Sequence, residues 1–425
     1  MNDLLYVNGG NPLEGTITVR GAKNFVSKAM VASLLGESPS VLRNVPQIRD
    51  VAVVTGLLEL HGVTVKSDPE AGVLDLDPSN VESAHVADID AHAGSSRIPI
   101  LFCGPLLCRI GDRPINYHLD ILRQFGAVVD KRPNGIHLRA PRRLQGTKIS
   151  LPYPSVGATE QLLLTAVRAE GITELSGAAI EPEIMDLIAV LQKMGAIISV
   201  DTDRVIRIEG VDRLDGYSHT ALGDRIETAS WASAALATGG DVTIKGATQP
   251  EMMTFLNTFR KVGGRFDVQE DGIRFWHPGG DLKSIVLETD VHPGFMTDWQ
   301  QPLVVALTQA TGLSIVHETV YENRFGFTDA LRQMGATIQV YKECLGGRDC
   351  RFGQRNFHHS AVISGPTPLA AADIEVPDLR GGFSHLIAAL AAKGTSTVRG
   401  ISLIDRGYES FQDKLVALGA DVSRD

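Results

Sequence analysis

The sequence predicts an α/β protein assembled from six copies of one unit, divided three and three between two domains. Two observations carry this. The first is a phrase written six times: an amphipathic helical stretch that closes on Gly and is followed by a β-prone run. The copies read LLELHGVTV (Leu57 to Val65), ILRQFGAVV (Ile121 to Val129), LQKMGAIIS (Leu191 to Ser199), FRKVGGRFD (Phe259 to Asp267), LRQMGATIQ (Leu331 to Gln339) and LVALGADVS (Leu415 to Ser423). Gly just past a helix takes the left-handed conformation that a side chain makes costly. The β-prone residues behind it then begin a strand. The second observation is a set of six nearly apolar stretches between the copies: AKNFVSKAMVASLL, RIPILFCGPLLC, ATEQLLLTAVRA, IETASWASAALATG, WQQPLVVALTQATG and FSHLIAALAAKG. Helices apolar on all sides are buried on all sides. Units about seventy residues apart mark a repeat architecture.

Each complete unit thus contributes a buried helix, a surface helix and several strands. Six such units cannot share one core at 425 residues. The expected division is a discontinuous domain of residues 1–21 plus 223–425 and an inserted domain of residues 22–222. In each unit an apolar-rich segment feeds a loop with charged residues that opens the next helix, and such loops on a rigid scaffold are where ligand contacts gather.

Unit two breaks the pattern. Gly62 to Gly126 is the tightest spacing of the series, and between the buried helix ending at Cys108 and the surface helix near His118 stands only RIGDRPINYH. The other units carry a strand and a turn there, so about a dozen residues are absent relative to the chain's own repeat.

Composition narrows the function. A hydrophobic content of 43% and a charged content of 21% are ordinary for a globular protein. No stretch reaches the roughly 18 uncharged apolar residues of a membrane span. The beginning, MNDLLYVNGGNPLEG, lacks the basic and apolar parts of a secretory signal, and four Cys make no disulfide framework, so a cytoplasmic protein is expected. The net charge of -10 argues against nucleic acid as a partner. It leaves small anionic ligands open, because a local cluster of Arg and Lys sets its own potential.

The segments GAKN, SSRIPILFCGPLL, RPINYHL, PSVGATE, DRIET, HPGFMTDWQQP, YENRFGF, PDLRGG and DRGYE run in order along the whole chain. Together they resemble the UDP-N-acetylglucosamine 1-carboxyvinyltransferase (enolpyruvyl transferase) family of the EPSP synthase superfamily. The resemblance implies an inside-out α/β barrel pair of βαβαββ units and an active site in the cleft between the domains. It also implies transfer of the enolpyruvyl group of phosphoenolpyruvate to the sugar 3-hydroxyl, by addition across the double bond and then loss of phosphate. That reaction is the first committed step of peptidoglycan synthesis. Neither cofactor nor metal is expected, and oligomeric state is left open.

Phosphoenolpyruvate is small and heavily anionic, so its site needs fixed cations. The planar fork of Arg pairs with carboxylate or phosphate in bidentate fashion, and Lys acts as a mobile charge and proton donor. By resemblance these are Lys23, Arg97, Arg380 and Arg406, with Arg113 at a phosphate contact beside the uracil. Asp298 matches the carboxylate that helps remove the proton of the sugar hydroxyl; its ordinary alternative is a helix N-cap. Arg113, Pro114, Ile115, Asn116 and Tyr117 correspond to the uracil site, Ser155, Val156 and Gly157 to the phosphate contact, and Asn24 and Val320 to the sugar site. Asn116 stands where the family usually has Asp, and Tyr153 where many members have Lys. Asp378 and Glu183 are expected to hold the arginines in place, while Asp224 and Arg225 fall at the domain return as a hinge or interdomain pair.

The segment missing from unit two carries, in the family, a mobile loop with the Cys or Asp that acts as general acid and is the target of fosfomycin. Nothing here matches it; Cys103 and Cys108 precede the gap in an apolar helix and read as core. Three explanations stand: the loop is left out of the sequence as read, the deletion is genuine in a binding-competent paralogue, or other proton donors serve. The acceptor has an alternative too, a nucleotide such as UMP, and a non-catalytic UDP-sugar-binding protein is the reading from another class. Cys344 and Cys350 in CLGGRDC read as a pair without further ligands, and the two His of FHHS as lacking partners, so no zinc site is expected from either motif.

Overall fold

The computed structural model describes residues 3–81, 98–109, 112–114, 119–132, 135–140, 142–347 and 350–425. The chain divides into two compact units, Met1–Arg20 with Gly223–Asp425 and Gly21–Leu222. Each has its own continuous apolar core. Gly21 belongs to the inserted unit, since its N–H bonds the carbonyl of Asn44, 2.8 Å away.

The six apolar stretches are the core helices. In the discontinuous unit these are Arg225–Thr238, Thr297–Leu307 and Leu379–Ala391, and each packs on the other two. Around them stand three sheets, one behind each helix. Arg225–Thr238 lies on the sheet of Arg265–Val268, Gly272–Trp276, Asp241–Lys245 and Glu14–Thr18 in that order, and Thr297–Leu307 on strands Ala310–His317 and Ser360–Gly365. Leu379–Ala391 lies on Leu4–Gly9 and Gly394–Arg399. Helices inside and sheets outside explain the all-round apolar composition, because no face of these helices meets water. Trp231 and Trp299 are fully buried there, and Phe383 stacks on Tyr408 at 4.1 Å between ring centres.

The six repeated phrases form the outer helices Arg49–Leu60, Leu119–Gln124, Pro182–Lys193, Met253–Val262, Thr328–Gln333 and Phe411–Ala417. All six closing glycines have positive φ, from 82° at Gly419 to 115° at Gly263. Each is followed by a strand that forms an antiparallel hairpin or pair within its sheet.

Five of the six sheets take in a strand that pairs in parallel with the one following the core helix, as Glu14–Thr18 does with Asp241–Lys245 and Lys148–Ser150 with Ile172–Ser176. The sheet of unit two is the exception among the described residues. It has three strands, Asp112–Pro114, Gly135–Arg139 and Val128–Arg132, all antiparallel. The expectation that a strand is missing after Cys108 is therefore corrected: Asp112–Pro114 is a strand, paired antiparallel with Gly135–Arg139. No helix among the described residues is long and apolar enough to cross a membrane.

The glycines allow a direct test of what the repeat requires. Gly195 has φ +101° with open space around a would-be Cβ, whereas a Cβ on Gly210 would lie 1.6 Å from the carbonyl oxygen of Ala169. Gly195→Ala should cost only the left-handed backbone penalty, about 1–2 kcal/mol. Gly210→Ala must displace main chain and should cost about 3 kcal/mol or more. Urea denaturation midpoints measure both, and equal shifts would contradict this account.

Candidate functional site

In the discontinuous unit the N-termini of the three core helices meet. Asp224 caps Arg225–Thr238, accepting from the N–H groups of Ile226 and Glu227 at 2.8 and 3.0 Å. Asp378 caps Leu379–Ala391 through Arg380 and Gly381 at 2.8 and 2.9 Å. Asp298 lies in the first turn of Thr297–Leu307. The indole N–H of Trp299 donates to the carbonyl of Arg225 at 3.2 Å, and the Arg225 guanidinium covers the Trp299 ring at 5.2 Å. Three helix N-termini at one place set a positive potential suited to an anion.

Asp298 is the charged centre of this place. Its carboxylate pairs with Arg324 and, at 3.6 Å, with Nε of Arg380. Burial alone would raise its pKa, but Arg324, Arg380 and Arg225 outweigh burial and hold it below the ordinary carboxylate range. Asp298 is thus an ion-paired carboxylate and not the helix N-cap; Met296 holds that position without a side-chain bond. Burial disfavours charge on Arg380, yet Asp298, Tyr408 and Asp224 keep it firmly protonated. Nη1 of Arg380 and Nε of Arg324 are buried with no protein partner, so each guanidinium keeps a donor in reserve. Tyr408, 6.0 Å beneath Arg380, donates or accepts with Ser230 at 2.9 Å, and burial pushes its pKa up to about 12. Arg406 sits two residues before Tyr408, half-buried in the turn after Ile401–Leu403.

Val320 belongs to the turn that leads from strand Ala310–His317 to Arg324. Glu318 organises that turn. Its carboxylate accepts from Thr289 and Thr297 hydroxyls at 2.9 and 2.8 Å and from the N–H groups of Val320 and Tyr321 at 2.8 and 2.9 Å. Burial raises its pKa against these bonds. Arg324 leaves the same turn with its guanidinium 4.6 Å over Tyr321.

In the inserted unit, Lys23 opens helix Lys23–Ala32 and pairs at 2.7 Å with Asp50, in the first turn of Arg49–Leu60. Asn24 follows it. Lys23 is therefore a half-buried, ion-paired side chain, not a solvated one. Ser155 caps helix Val156–Ala166 through the N–H of Ala158, so Val156 and Gly157 offer first-turn N–H groups of the kind that bind phosphate. Deeper in that helix Glu160 pairs with Lys28 at 3.4 Å, and burial, with help from Glu183 and Glu181, lifts its pKa to about 7. Glu183 thus adds a like charge beside Glu160. Arg113 and Pro114 lie on the short strand Asp112–Pro114. Arg97, Ile115, Asn116 and Tyr117 lie outside the described residues.

Cys103 is buried in the core, and burial pushes the Cys108 thiol up to about 12, so Cys108 is not a thiolate at neutral pH. The reading of Cys344 and Cys350 as a pair without further ligands is corrected. His317, from a strand end 27 positions earlier in sequence, and His359 complete a group of four.

The residues that sequence reasoning left unassigned are Arg324, Asp50, Glu318 and Tyr408. Arg324 lay inside the quoted YENRFGF segment; its bond to a residue 26 positions away has no local signal.

Residues 7–415 match the family EPSP synthase (3-phosphoshikimate 1-carboxyvinyltransferase). The UDP-N-acetylglucosamine 1-carboxyvinyltransferase of Protochlamydia amoebophila is 48% identical, over 99% of this chain and 94% of its own length. That of Chlamydia abortus is 45% identical over 98% and 97%. Among solved structures, the enolpyruvyl transferase NikO from Streptomyces tendae has a TM-score of 0.90 at 24% identity, covering 99% of this chain and 98% of its own. EPSP synthase from Acinetobacter baumannii has 0.76 at 18%, covering 99% and 100%. Helices wrapped by sheets, Asp298 among its arginines and relatives alike from end to end place the chain in the EPSP synthase family, with the UDP-N-acetylglucosamine 1-carboxyvinyltransferases as its close kin.

Proposed function

We propose that this enzyme transfers the enolpyruvyl group of phosphoenolpyruvate to the 3-hydroxyl of UDP-N-acetylglucosamine and releases phosphate, in the cytoplasm, at the first committed step of peptidoglycan synthesis. The observation that carries the reading is Asp298, a buried carboxylate kept ionised by Arg324 and Arg380 where three helix N-termini meet. A carboxylate of depressed pKa is a weak base in water. Within hydrogen-bond reach of an alcohol whose oxygen is gaining a bond to carbon, it accepts the proton as that bond forms, an effect typically worth about 10²–10⁴ in rate. The arginines and Arg406 serve the other partner: they hold the carboxylate and phosphate of the donor and stabilise charge as the double bond is attacked. Lys23 adds a further cation, oriented by Asp50. Ser155, Val156 and Gly157 suit the diphosphate, and Val320 the sugar.

The shortened second unit favours a second reading of the proton chemistry. The alignment with the Protochlamydia relative runs over 439 positions and this chain has 425 residues, so some aligned positions have no counterpart here. With Cys103 buried in the core and burial pushing the Cys108 thiol up, neither is carried over as the acid; protonation of the donor methylene falls to another group, with Lys23 as the candidate, or turnover is slow. Nucleotide acceptors such as UMP remain the alternative to the sugar; phosphate release with phosphoenolpyruvate and each acceptor in turn distinguishes them, and turnover with UMP alone would overturn the sugar assignment.

Two substitutions test the roles. Replacing Arg324→Gln removes the leading charge that depresses Asp298, so burial raises that carboxyl. A base with a lowered pKa is active above it and lost as pH falls through it, so the acid limb of kcat/KM should move to higher pH. An unmoved limb would remove Asp298 from the base role. Arg406→Ala should weaken phosphoenolpyruvate use by 10²-fold or so, on the order of 3 kcal/mol. Calorimetric affinity for the UDP-sugar should stay nearly constant, and equal losses would displace Arg406 from the donor site.

A further inference from the structure

The 342–359 segment joins strands Thr337–Tyr341 and Ser360–Gly365 with no regular secondary structure among its described residues. Connections of that length inside a compact domain are uncommon and need something to order them. Three of its side chains meet a fourth, His317, from the end of strand Ala310–His317. Cys344 Sγ is 3.5 Å from Cys350 Sγ and 3.4 Å from Nε2 of His359. His317 completes the group, and the four ligand atoms all lie within 4.8 Å of one another. Both imidazoles are fully buried.

From these four side chains we infer a structural zinc(II) site with the ligand set Cys344, Cys350, His317 and His359. A tetrahedral ion with bonds of about 2.3 Å to sulfur and 2.0–2.1 Å to nitrogen spaces its sulfurs about 3.8 Å apart and sulfur from nitrogen about 3.5 Å. The observed 3.5 and 3.4 Å fit one such ion. The outer contacts fix the ring nitrogens as zinc requires. His359 Nδ1 is 3.0 Å from the carbonyl of Phe357 and His317 Nδ1 is 3.3 Å from Glu288, which aims Nε2 of both rings at the thiols. Nε2 of His317 is buried without a protein partner, an orphan that a metal would satisfy. Glu288 also accepts from the N–H of Gly347 at 2.6 Å, and the N–H of Phe352 points at Cys350 Sγ at 3.4 Å, as amides do around zinc thiolates. The loop passes so close that a Cβ on Gly346 would fall 2.2 Å from His317 Nδ1. Soft sulfur with imidazole in tetrahedral array selects zinc over calcium, magnesium or manganese. A two-iron cluster would separate the Cys pair from the His pair, which the 3.4 Å Cys344–His359 contact contradicts. Binding takes one Zn²⁺, releases the two thiol protons to solvent and leaves the site electrically neutral. This inference does not rest on the reaction proposed above.

The test uses untagged full-length protein exposed to zinc sulfate and then desalted. Mass spectrometry of metals should find about one tightly held zinc per chain, lost in a Cys344→Ser, Cys350→Ser double variant and in His317→Ala. In case those variants fail to fold, unmutated protein is loaded with cobalt(II). It should show the thiolate charge-transfer band and visible bands of a tetrahedral S₂N₂ site, saturating at one equivalent, and zinc should protect Cys344 and Cys350 from alkylation. Absence of stoichiometric metal, a six-coordinate cobalt spectrum, alkylation indifferent to zinc, or a Cys344–Cys350 disulfide in the native protein would each overturn the site.

Discussion

The burial of Asp298 beside Arg324 and Arg380 is the interaction on which the rest of the discontinuous unit depends. Taking charges out of water is expensive, and mutual attraction offsets that cost only when geometry is good and remaining donors are satisfied. Here the offset comes from several directions at once. Three helix N-termini favour the carboxylate, two arginines pair with it and Arg225 adds a third positive charge. The arginines in turn are over-supplied with donors, since Arg380 Nη1 and Arg324 Nε have no protein partner. Such an assembly holds more hydrogen-bond donors than its own carboxylates use. It is poised to take an anion, and the anion would complete its hydrogen bonding.

That concentration of charge follows from the fold. Helices buried all round are largely apolar along their length, and in these three the charged side chains are confined to the N-terminal ends. Asp224, Asp298 and Asp378 occupy those ends, two of them as caps. Packing three helices together then brings three acidic helix starts, and the arginines beside them, to one place. The same logic operates at Ser155 in the inserted unit, where a cap and its first turn leave N–H groups for phosphate.

Much of this was legible in the chain. The six closing glycines announced the left-handed turns, and every one has positive φ. The apolar stretches announced the core helices because composition records burial on all sides. Pairings were not legible. Nothing near Lys23 marks Asp50 as its partner, and nothing near Asp298 marks Arg324, because those bonds are made by packing between helices and turns remote in sequence. The Cys and His cluster failed for the same reason: CLGGRDC and FHHS each carry too few ligands, and His317 is hidden in a β-strand as one more core residue. Unit two was read only in part, since its tight spacing gave no sign of the strand Asp112–Pro114.

The two special regions of the discontinuous unit are joined by consecutive residues. Strand Ala310–His317 ends on the imidazole turned toward the cysteines, and Glu318 follows it. Successive side chains of an extended chain point to opposite sides, and Glu318 points to the turn that carries Val320, Tyr321 and Arg324, where it also grips Thr297 beside Asp298. On the other side, Arg351 returns from the cysteine loop to the carbonyl of Val320 at 2.5 Å. An ion fixing His317 to Cys344 and Cys350 would therefore anchor the turn at both ends: through the strand that feeds it and through the loop that covers it. The irregular loop, whose own packing rests on Phe352 against Phe357 and His359, would then support the turn that carries Arg324, which gives such an ion a structural reason to be there.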